Sequence, residues 1–136
     1  MAGFAGISFA WLSGMTPRLE SFQDRSFRFA CDVVRLYVLL SQHHHVPLHL
    51  SRQMLRAGTS VGANLEEARA ALSRRDSATR FGVALKEARE TSYWLRLMRA
   101  TDLVPSVTVD PLILEAGEMI GILSSARRKL AEPVAG

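Results

Sequence analysis

Apolar residues recur along this chain at spacings of three, four or seven positions, which is the period of a helix that buries one face. Four segments show this period, and none shows the two-residue alternation of a strand. The predicted helices extend over about residues 18–42, 47–72, 76–101 and from Thr108 or Asp110 to about 132. Four long helices with short joints predict an all-α fold, an antiparallel up-down-up-down four-helix bundle.

Turn-forming and capping residues separate the four segments. A run of histidines and Pro47 ends the first helix, and Ser73 with Asp76 has the spacing of a capping box, with Asp in place of Glu or Gln. Asp110 is expected to cap the last helix, with Pro111 at its first position.

Each predicted helix carries one apolar stripe that is expected in the core. The stripes are Phe22, Phe29, Val33, Leu36 and Leu40; Leu50, Met54, Ala57, Val61, Leu65, Ala68 and Leu72; Phe81, Ala84, Ala88, Thr91, Leu95 and Met98; and Leu112, Ile113, Ala116, Ile120, Leu123 and Leu130.

The first and third helices carry further apolar residues outside their stripes, and an exposed face of this kind is usually covered by self-association. We therefore predict a homo-oligomer; the alternative is that these residues belong to the core. The oligomer-interface candidates are Phe27, Val34, Val38, Val83, Trp94 and Leu97.

The stretch "LRAGTSVGANLEEA" contains two glycines and either forms a phosphate loop or lies within a helix. It lacks the Gly-Lys-Ser/Thr ending of a Walker loop, and no strand precedes it. Gly58 and Gly62 are four residues apart, so they share one helical face. We predict that a neighbouring helix approaches closely there, and Gly117 and Gly121 suggest similar close packing.

The same region resembles the four-helix bundle protein family, also called the 23S ribosomal RNA intervening-sequence protein family. A second block, "FGVALKEARETSYWLRLM" at 81–98, is similar to the third-helix signature of that family. The resemblance covers about residues 18–131. In the first block the matching positions are Leu50, Gln53, Leu55, Arg56, Ala57, Ser60, Val61, Ala63, Asn64, Leu65 and Glu67.

This resemblance implies a small antiparallel bundle that assembles into a ring-like homopentamer, with no established activity for most members. Some members are encoded within insertions in ribosomal RNA genes. A related protein, the accessory variability protein of diversity-generating retroelements, is a basic pentamer that binds nucleic acid and a reverse transcriptase. This chain departs from the pattern at Ala68, where members often have Gly, and in its N-terminal segment.

The chain has a net charge of +4, and all but two of its seventeen basic residues are arginine. Guanidinium groups suit bidentate contacts to phosphate oxygens, while the alternative is that these arginines are solvated or paired with carboxylates. No aromatic residues are interleaved with them, so base stacking has little support. The nucleic-acid-binding candidates are Arg52, Arg56, Arg69, Arg74, Arg75 and Arg80.

Catalytic and metal-binding patterns are lacking in the sequence. Cys31 is the only cysteine, and no Glu precedes a His by three residues as a di-iron bundle requires. Adjacent histidines at a helix end are expected to be solvated, so we predict no catalytic residue, metal or cofactor. The candidates for a polar network between helices are Arg56, Asn64, Glu67, Glu87 and Glu90.

These observations predict a tail over 1–17, a bundle over 18–132 and a short tail over 133–136. The first segment is interpreted as a disordered tail rather than a secretory signal, since it lacks a basic start. We expect a cytoplasmic, non-enzymatic accessory or scaffold protein, with a pentamer as the expected assembly, that binds structured RNA or DNA and no membrane. The alternative is a structural ring that binds a protein partner and no nucleic acid.

Overall fold

The computed structural model describes residues 20–133, which form four α-helices and no strand. This confirms the all-α prediction. The predicted tail 1–17 and residues 134–136 lie outside the described part. The helices are α1 (Phe22–Ser41), α2 (Leu48–Arg69), α3 (Arg74–Ala100) and α4 (Ser106–Ala131).

Serine side chains cap the N-termini of α1 and α3. The Ser21 hydroxyl accepts a hydrogen bond from the Asp24 backbone N–H at 3.0 Å, and Ser73 accepts one from Asp76 at 3.0 Å. Each bond satisfies a backbone donor that the first turn leaves unpaired. The predicted cap at Ser73 is confirmed, whereas α1 begins at Phe22 and not near residue 18, because Ser21 is its cap.

The predicted start of the last helix is wrong by several residues. Helix α4 begins at Ser106 directly after Pro105, and Pro111 lies inside it. Asp110 does not cap the helix; its carboxylate accepts a hydrogen bond from Arg99 at 2.8 Å. The earlier start brings Val109 onto the core face, where it is fully buried. This burial offsets the backbone hydrogen bond that Pro111 cannot donate.

The core consists of one buried stripe from each helix, largely as predicted. Leu72 is an exception, because α2 ends at Arg69 and leaves this side chain 98% exposed. Leu85 and Met119 are buried although they were not in the predicted stripes. The large side chains that are almost fully buried include Phe29, Leu36, Leu40, Met54, Leu65, Leu95, Met98, Leu112, Met119 and Leu123.

The two glycines of α2 face α1 at close range. A methyl group at Gly58 would lie 2.7 Å from Val33 Cγ1, so this position requires the absence of a side chain. Gly62 lies against the Ser26 carbonyl, whose oxygen would be at an ordinary distance of 3.5 Å from a methyl group there. The predicted close approach at α2 is confirmed. The suggested close packing at Gly117 and Gly121 is wrong within the described protomer, because nothing lies within 4 Å of a methyl group at either position.

Ion pairs connect α1 with α4. The Arg25 guanidinium donates to the carboxylates of Glu115 and Glu118 on α4, and Arg28 lies 3.9 Å from Glu115 while it donates to Glu20, just before α1, at 2.9 and 3.0 Å. Hydrogen bonding from Arg25 to Glu115 raises the arginine pKa. The carboxyl of Asp32 lies fully buried on the same helix.

No helix among residues 20–133 is long and apolar enough to span a membrane.

Candidate functional site

A polar cluster joins α2 to α3. The Arg56 guanidinium donates to Glu87 at 3.3 Å and also to Glu90, and the Trp94 indole N–H donates to Glu90 at 3.2 Å. The hydrogen bond from Arg56 lowers the pKa of Glu90, and the same bond raises the pKa of Arg56. Arg56 is therefore occupied by carboxylates and has less positive charge to offer a phosphate.

Two further predicted network residues have other partners. Glu67 on α2 forms an ion pair with Arg80 on α3 at 2.6 Å. Asn64 lies outside the network, because its side-chain amide donates at 2.8 Å to the Ser60 carbonyl one turn earlier in the same helix. The polar contacts between α2 and α3 thus form two separate groups, one around Arg56 and one at Arg80.

The six predicted phosphate-binding arginines do not form one cluster. Arg52 and Arg56 lie in the first half of α2, and Arg69 lies about 26 Å beyond Arg52 along the helix axis. The side chains of Arg69 and Arg75 are exposed and make no hydrogen bond or ion pair within residues 20–133. The α2–α3 joint therefore holds arginines that are available to a ligand.

Arg74 connects this joint to the end of α4. Its guanidinium donates to the backbone carbonyls of Leu130 at 3.1 Å and of Lys129 at 2.7 Å. Arg127 lies across α3 at Gly82, where its Nε would be 3.2 Å from a methyl group on the glycine. Arg127 thus lies on the α3 side of α4, whereas the Lys129 side chain lines a cleft with Arg25 and Glu118 on the side toward α1.

Sequence reasoning missed this second basic segment. The helix dipole already favours positive charge at a C-terminus, so the positions of Arg127, Arg128 and Lys129 along the chain do not indicate binding. The short joints contained the missing signal, since a short α3–α4 joint in a helical bundle predicts that the end of α4 lies near the start of α3.

The oligomer-interface candidates differ in exposure between the two helices. On α1, Phe27 is 69% exposed, and Val34 and Val38 are 42% and 52% exposed. The three candidates on α3 are Val83, Trp94 and Leu97, and all are partly buried. The α1 residues therefore form the more open apolar face.

A cleft of about 420 Å³ lies beside the α2–α3 joint. Its ionisable lining residues are Glu67, Asp76 and Arg80, and Glu67 and Arg80 pair with each other. Within residues 20–133, no three His, Cys, Asp or Glu side chains converge as metal ligands. With two carboxylates and one paired arginine, this cleft offers no free positive charge to an anion, and its lining residues contain no nucleophile–base pair.

The geometry defines an all-α helical bundle with an arginine-rich joint. The family model described as "23S rRNA-intervening sequence protein" matches residues 19–125, and the chain belongs to this family. It is also similar to a crystal structure of a protein with unknown function from the S23 ribosomal protein family of Bacteroides thetaiotaomicron VPI-5482. The two are 37% identical with a TM-score of 0.74, over 78% of this chain and 97% of that one. No curated protein matches the sequence.

Proposed function

We propose that this protein is a non-enzymatic, cytoplasmic, homo-oligomeric bundle that binds structured RNA through backbone phosphates. The observation that carries the proposal is the α2–α3 joint, where the side chains of Arg69 and Arg75 are exposed without a partner in the described part of the chain. Guanidinium groups bind phosphate oxygens well and need no base-specific geometry.

The proposed bundle is antiparallel, with neighbouring helices running in opposite directions. Contacts between α1 and α2 support this arrangement, since Val33 meets Gly58 and the earlier Ser26 meets the later Gly62. Between α2 and α3, Arg56 pairs with Glu87, whereas the later Glu67 pairs with the earlier Arg80. These pairings fall in opposite order on the two helices.

The proposed assembly is a ring, with a pentamer as the expected size. The exposed apolar face of Phe27, Val34 and Val38 supports self-association, because water contact with such a face is unfavourable. Several copies would each present one arginine joint. Multiple joints increase the effective concentration of binding sites on one RNA, so weak contacts gain avidity.

A second candidate function is a structural ring that binds a protein partner. It is favoured by apolar side chains exposed on α4, where Val107 is 72% and Leu114 is 66% exposed. A partner that covers these residues would need no arginine. Substitutions at the arginine joint and substitutions at the apolar residues of α4 therefore distinguish RNA binding from protein binding.

A titration of the full chain with a structured RNA at about 50 mM and about 200 mM salt tests the RNA proposal. We expect the wild type to bind, with affinity falling about tenfold or more between these salt concentrations as phosphate contacts are screened. The double variant Arg69→Ala/Arg75→Ala should bind more weakly and with a shallower salt dependence. Arg52→Ala, which removes an arginine far from the joint, is the control and should bind like wild type.

Absence of binding by the wild type at low salt would overturn the RNA proposal and favour the protein-binding ring. Equal affinity of the double variant and the wild type would show that RNA binds elsewhere on the molecule. Light scattering on each variant establishes that the assembly state is unchanged, so that a loss of avidity is not mistaken for a lost contact.

A further inference from the structure

We propose that the last turns of α4 form one phosphate-binding surface together with the α2–α3 joint. This inference rests on the proposed function and adds three residues that the sequence patterns did not indicate. We call the surface the basic end and define it as Arg69, Arg74, Arg75, Arg127, Arg128 and Lys129.

Two direct contacts bring the segments of the basic end together. Arg74, in the first turn of α3, donates to the carbonyls of Lys129 and Leu130 in the last turn of α4. Two turns further into α3, the absence of a side chain at Gly82 leaves room for Arg127 to lie across the helix. The end of α4 is therefore in direct contact with the start of α3, with Arg127 on the side of α3 and Lys129 at the edge toward α1.

The sum of the charges in the segments that form this surface equals the net charge of the chain. Arg80 is set aside because it pairs with Glu67. Residues 69–80 and 127–132 then hold six basic and two acidic side chains, a balance of +4 that equals the net charge of the whole sequence. The acidic Glu66 lies toward α1, where it lines a groove with Gln23 and other residues.

Arg74 has a positioning role in this surface. The free carbonyls at a helix C-terminus carry partial negative charge and would repel a phosphate. Arg74 donates to the Leu130 carbonyl and to the Lys129 carbonyl, which also accepts from the Glu132 backbone N–H at 3.3 Å, and so reduces the partial negative charge at the end of α4. Its guanidinium donates to two protein carbonyls, whereas Arg127 and Lys129 are exposed and Arg128, within residues 20–133, donates only to the Ser125 hydroxyl at 3.3 Å.

The geometry fits a ligand with several phosphates in a row, which is the chemistry of a nucleic-acid backbone. The basic side chains come from three helix ends and lie around an exposed surface, not in a closed pocket that would select one small anion. A phosphodiester strand can contact them in succession. We therefore expect binding to tolerate differences in nucleotide sequence and to depend on the shape of the nucleic-acid strand.

The test uses the full chain and compares two triple variants with equal loss of charge. Arg127→Gln/Arg128→Gln/Lys129→Gln alters the end of α4, and Arg52→Gln/Lys86→Gln/Arg89→Gln is the control on exposed residues elsewhere. Each is titrated with a short RNA duplex and with a DNA duplex of the same sequence, over a range of salt. Light scattering establishes that both variants assemble as the wild type does.

We expect the α4 variant to lose about tenfold or more in affinity for RNA and to have a salt dependence reduced by about two to three phosphate contacts. The control variant should stay within about threefold of wild type, the general effect of lower net charge. A wild type that binds, with both variants equally affected, would overturn the inference and leave the proposed function intact. A wild type that binds no RNA would overturn the proposed function itself.

Arg74→Ala separates positioning from direct contact. We expect it to weaken binding while the dependence on salt stays that of wild type, because no phosphate contact is lost. A salt dependence lower by about one contact would place Arg74 on the ligand and contradict its assigned role. The DNA duplex shows whether the surface accepts any phosphodiester backbone or distinguishes RNA by the form of its helix.

Discussion

At the scale of single residues, the buried carboxyl of Asp32 departs most from ordinary behaviour. One carboxylate oxygen accepts a hydrogen bond from Arg35 at 3.4 Å, and Oδ2 has no hydrogen-bond partner in the described structure. Burial raises the pKa of Asp32 to about 6, an effect that Arg28 and Arg35 oppose and the negative charge of Glu115 reinforces. The charged form of this side chain is thus unfavourable inside the bundle.

The raised pKa of Asp32 predicts a specific dependence of stability on pH. An unfolded Asp has a pKa near 3.9, so between about pH 4 and pH 6 the folded protein binds more protons than the unfolded chain. The contribution of Asp32 to the free energy of unfolding is therefore fully present below about pH 4 and is lost as the pH rises through about 6. We expect Asp32→Asn to gain about 2 kcal/mol relative to wild type between about pH 4.5 and about pH 7.5.

Urea unfolding of both proteins at the two pH values measures this gain, because contributions from other ionisable groups cancel in the difference. Asp24→Asn alters an exposed carboxyl on the same helix and is the matched control. If the free energy of unfolding changes equally with pH in wild type and Asp32→Asn, ionisation of the Asp32 carboxyl does not destabilise the folded protein, and the prediction is contradicted.

At the scale of secondary-structure elements, the glycines of α2 and α4 differ in how closely other residues pack against them. Gly58 is closed off by Val33, which is itself fully buried, whereas Gly117 has open space where a side chain would lie. Glycine costs a helix about 1 kcal/mol relative to alanine. On α2 the close packing of α1 compensates for this cost, and on α4 no contact within the described protomer does so.

This contrast predicts opposite effects of the same substitution. Gly58→Ala should destabilise the protein by about 1–3 kcal/mol, because the new methyl group overlaps Val33 and forces the helices apart. Gly117→Ala should stabilise it by up to about 1 kcal/mol. Thermal unfolding of the two variants checks both signs. A loss of stability in Gly117→Ala, together with a lower assembly mass, would instead place this face of α4 against another chain.

The sequence predicted the number and type of the elements well, because each helix buries a continuous stripe with a helical period. It failed where two local rules competed. Pro105 and Pro111 are both acceptable near a helix start, and the choice of Ser106 follows from burying Val109, which is a tertiary effect. The candidate arginines were likewise separable only by their partners: the sequence indicated Arg56 both as a phosphate contact and in a polar network with Glu87 and Glu90, and the structure pairs it with these two carboxylates.

At the scale of the whole molecule, the proposed ring depends on the apolar face of α1. We expect Phe27→Glu/Val38→Glu to dissociate the assembly, because two charges would then have to be buried at the contact between copies. Light scattering during gel filtration should show the mass falling to that of one chain, 15.0 kDa, with helix content retained by circular dichroism.

Val107→Glu introduces the same charge at an apolar residue of α4 that is 72% exposed, and it should leave the mass unchanged. A wild type that already has the mass of one chain would contradict the ring. So would a double mutant that remains assembled, since both altered residues belong to the apolar face of α1 that forms the proposed contact.

The bonds from Arg74 to the carbonyls of α4 have a further consequence for such an assembly, because they place the basic surface at one end of each bundle. Copies related by rotation alone all point the same way along the axis. With the helices aligned along the ring axis, the two sides of the ring would then differ, one carrying the basic end of every copy and the other carrying Arg52 from the opposite end of α2. The ring would settle on a nucleic acid with the side of the basic ends down and leave the opposite side open to other molecules.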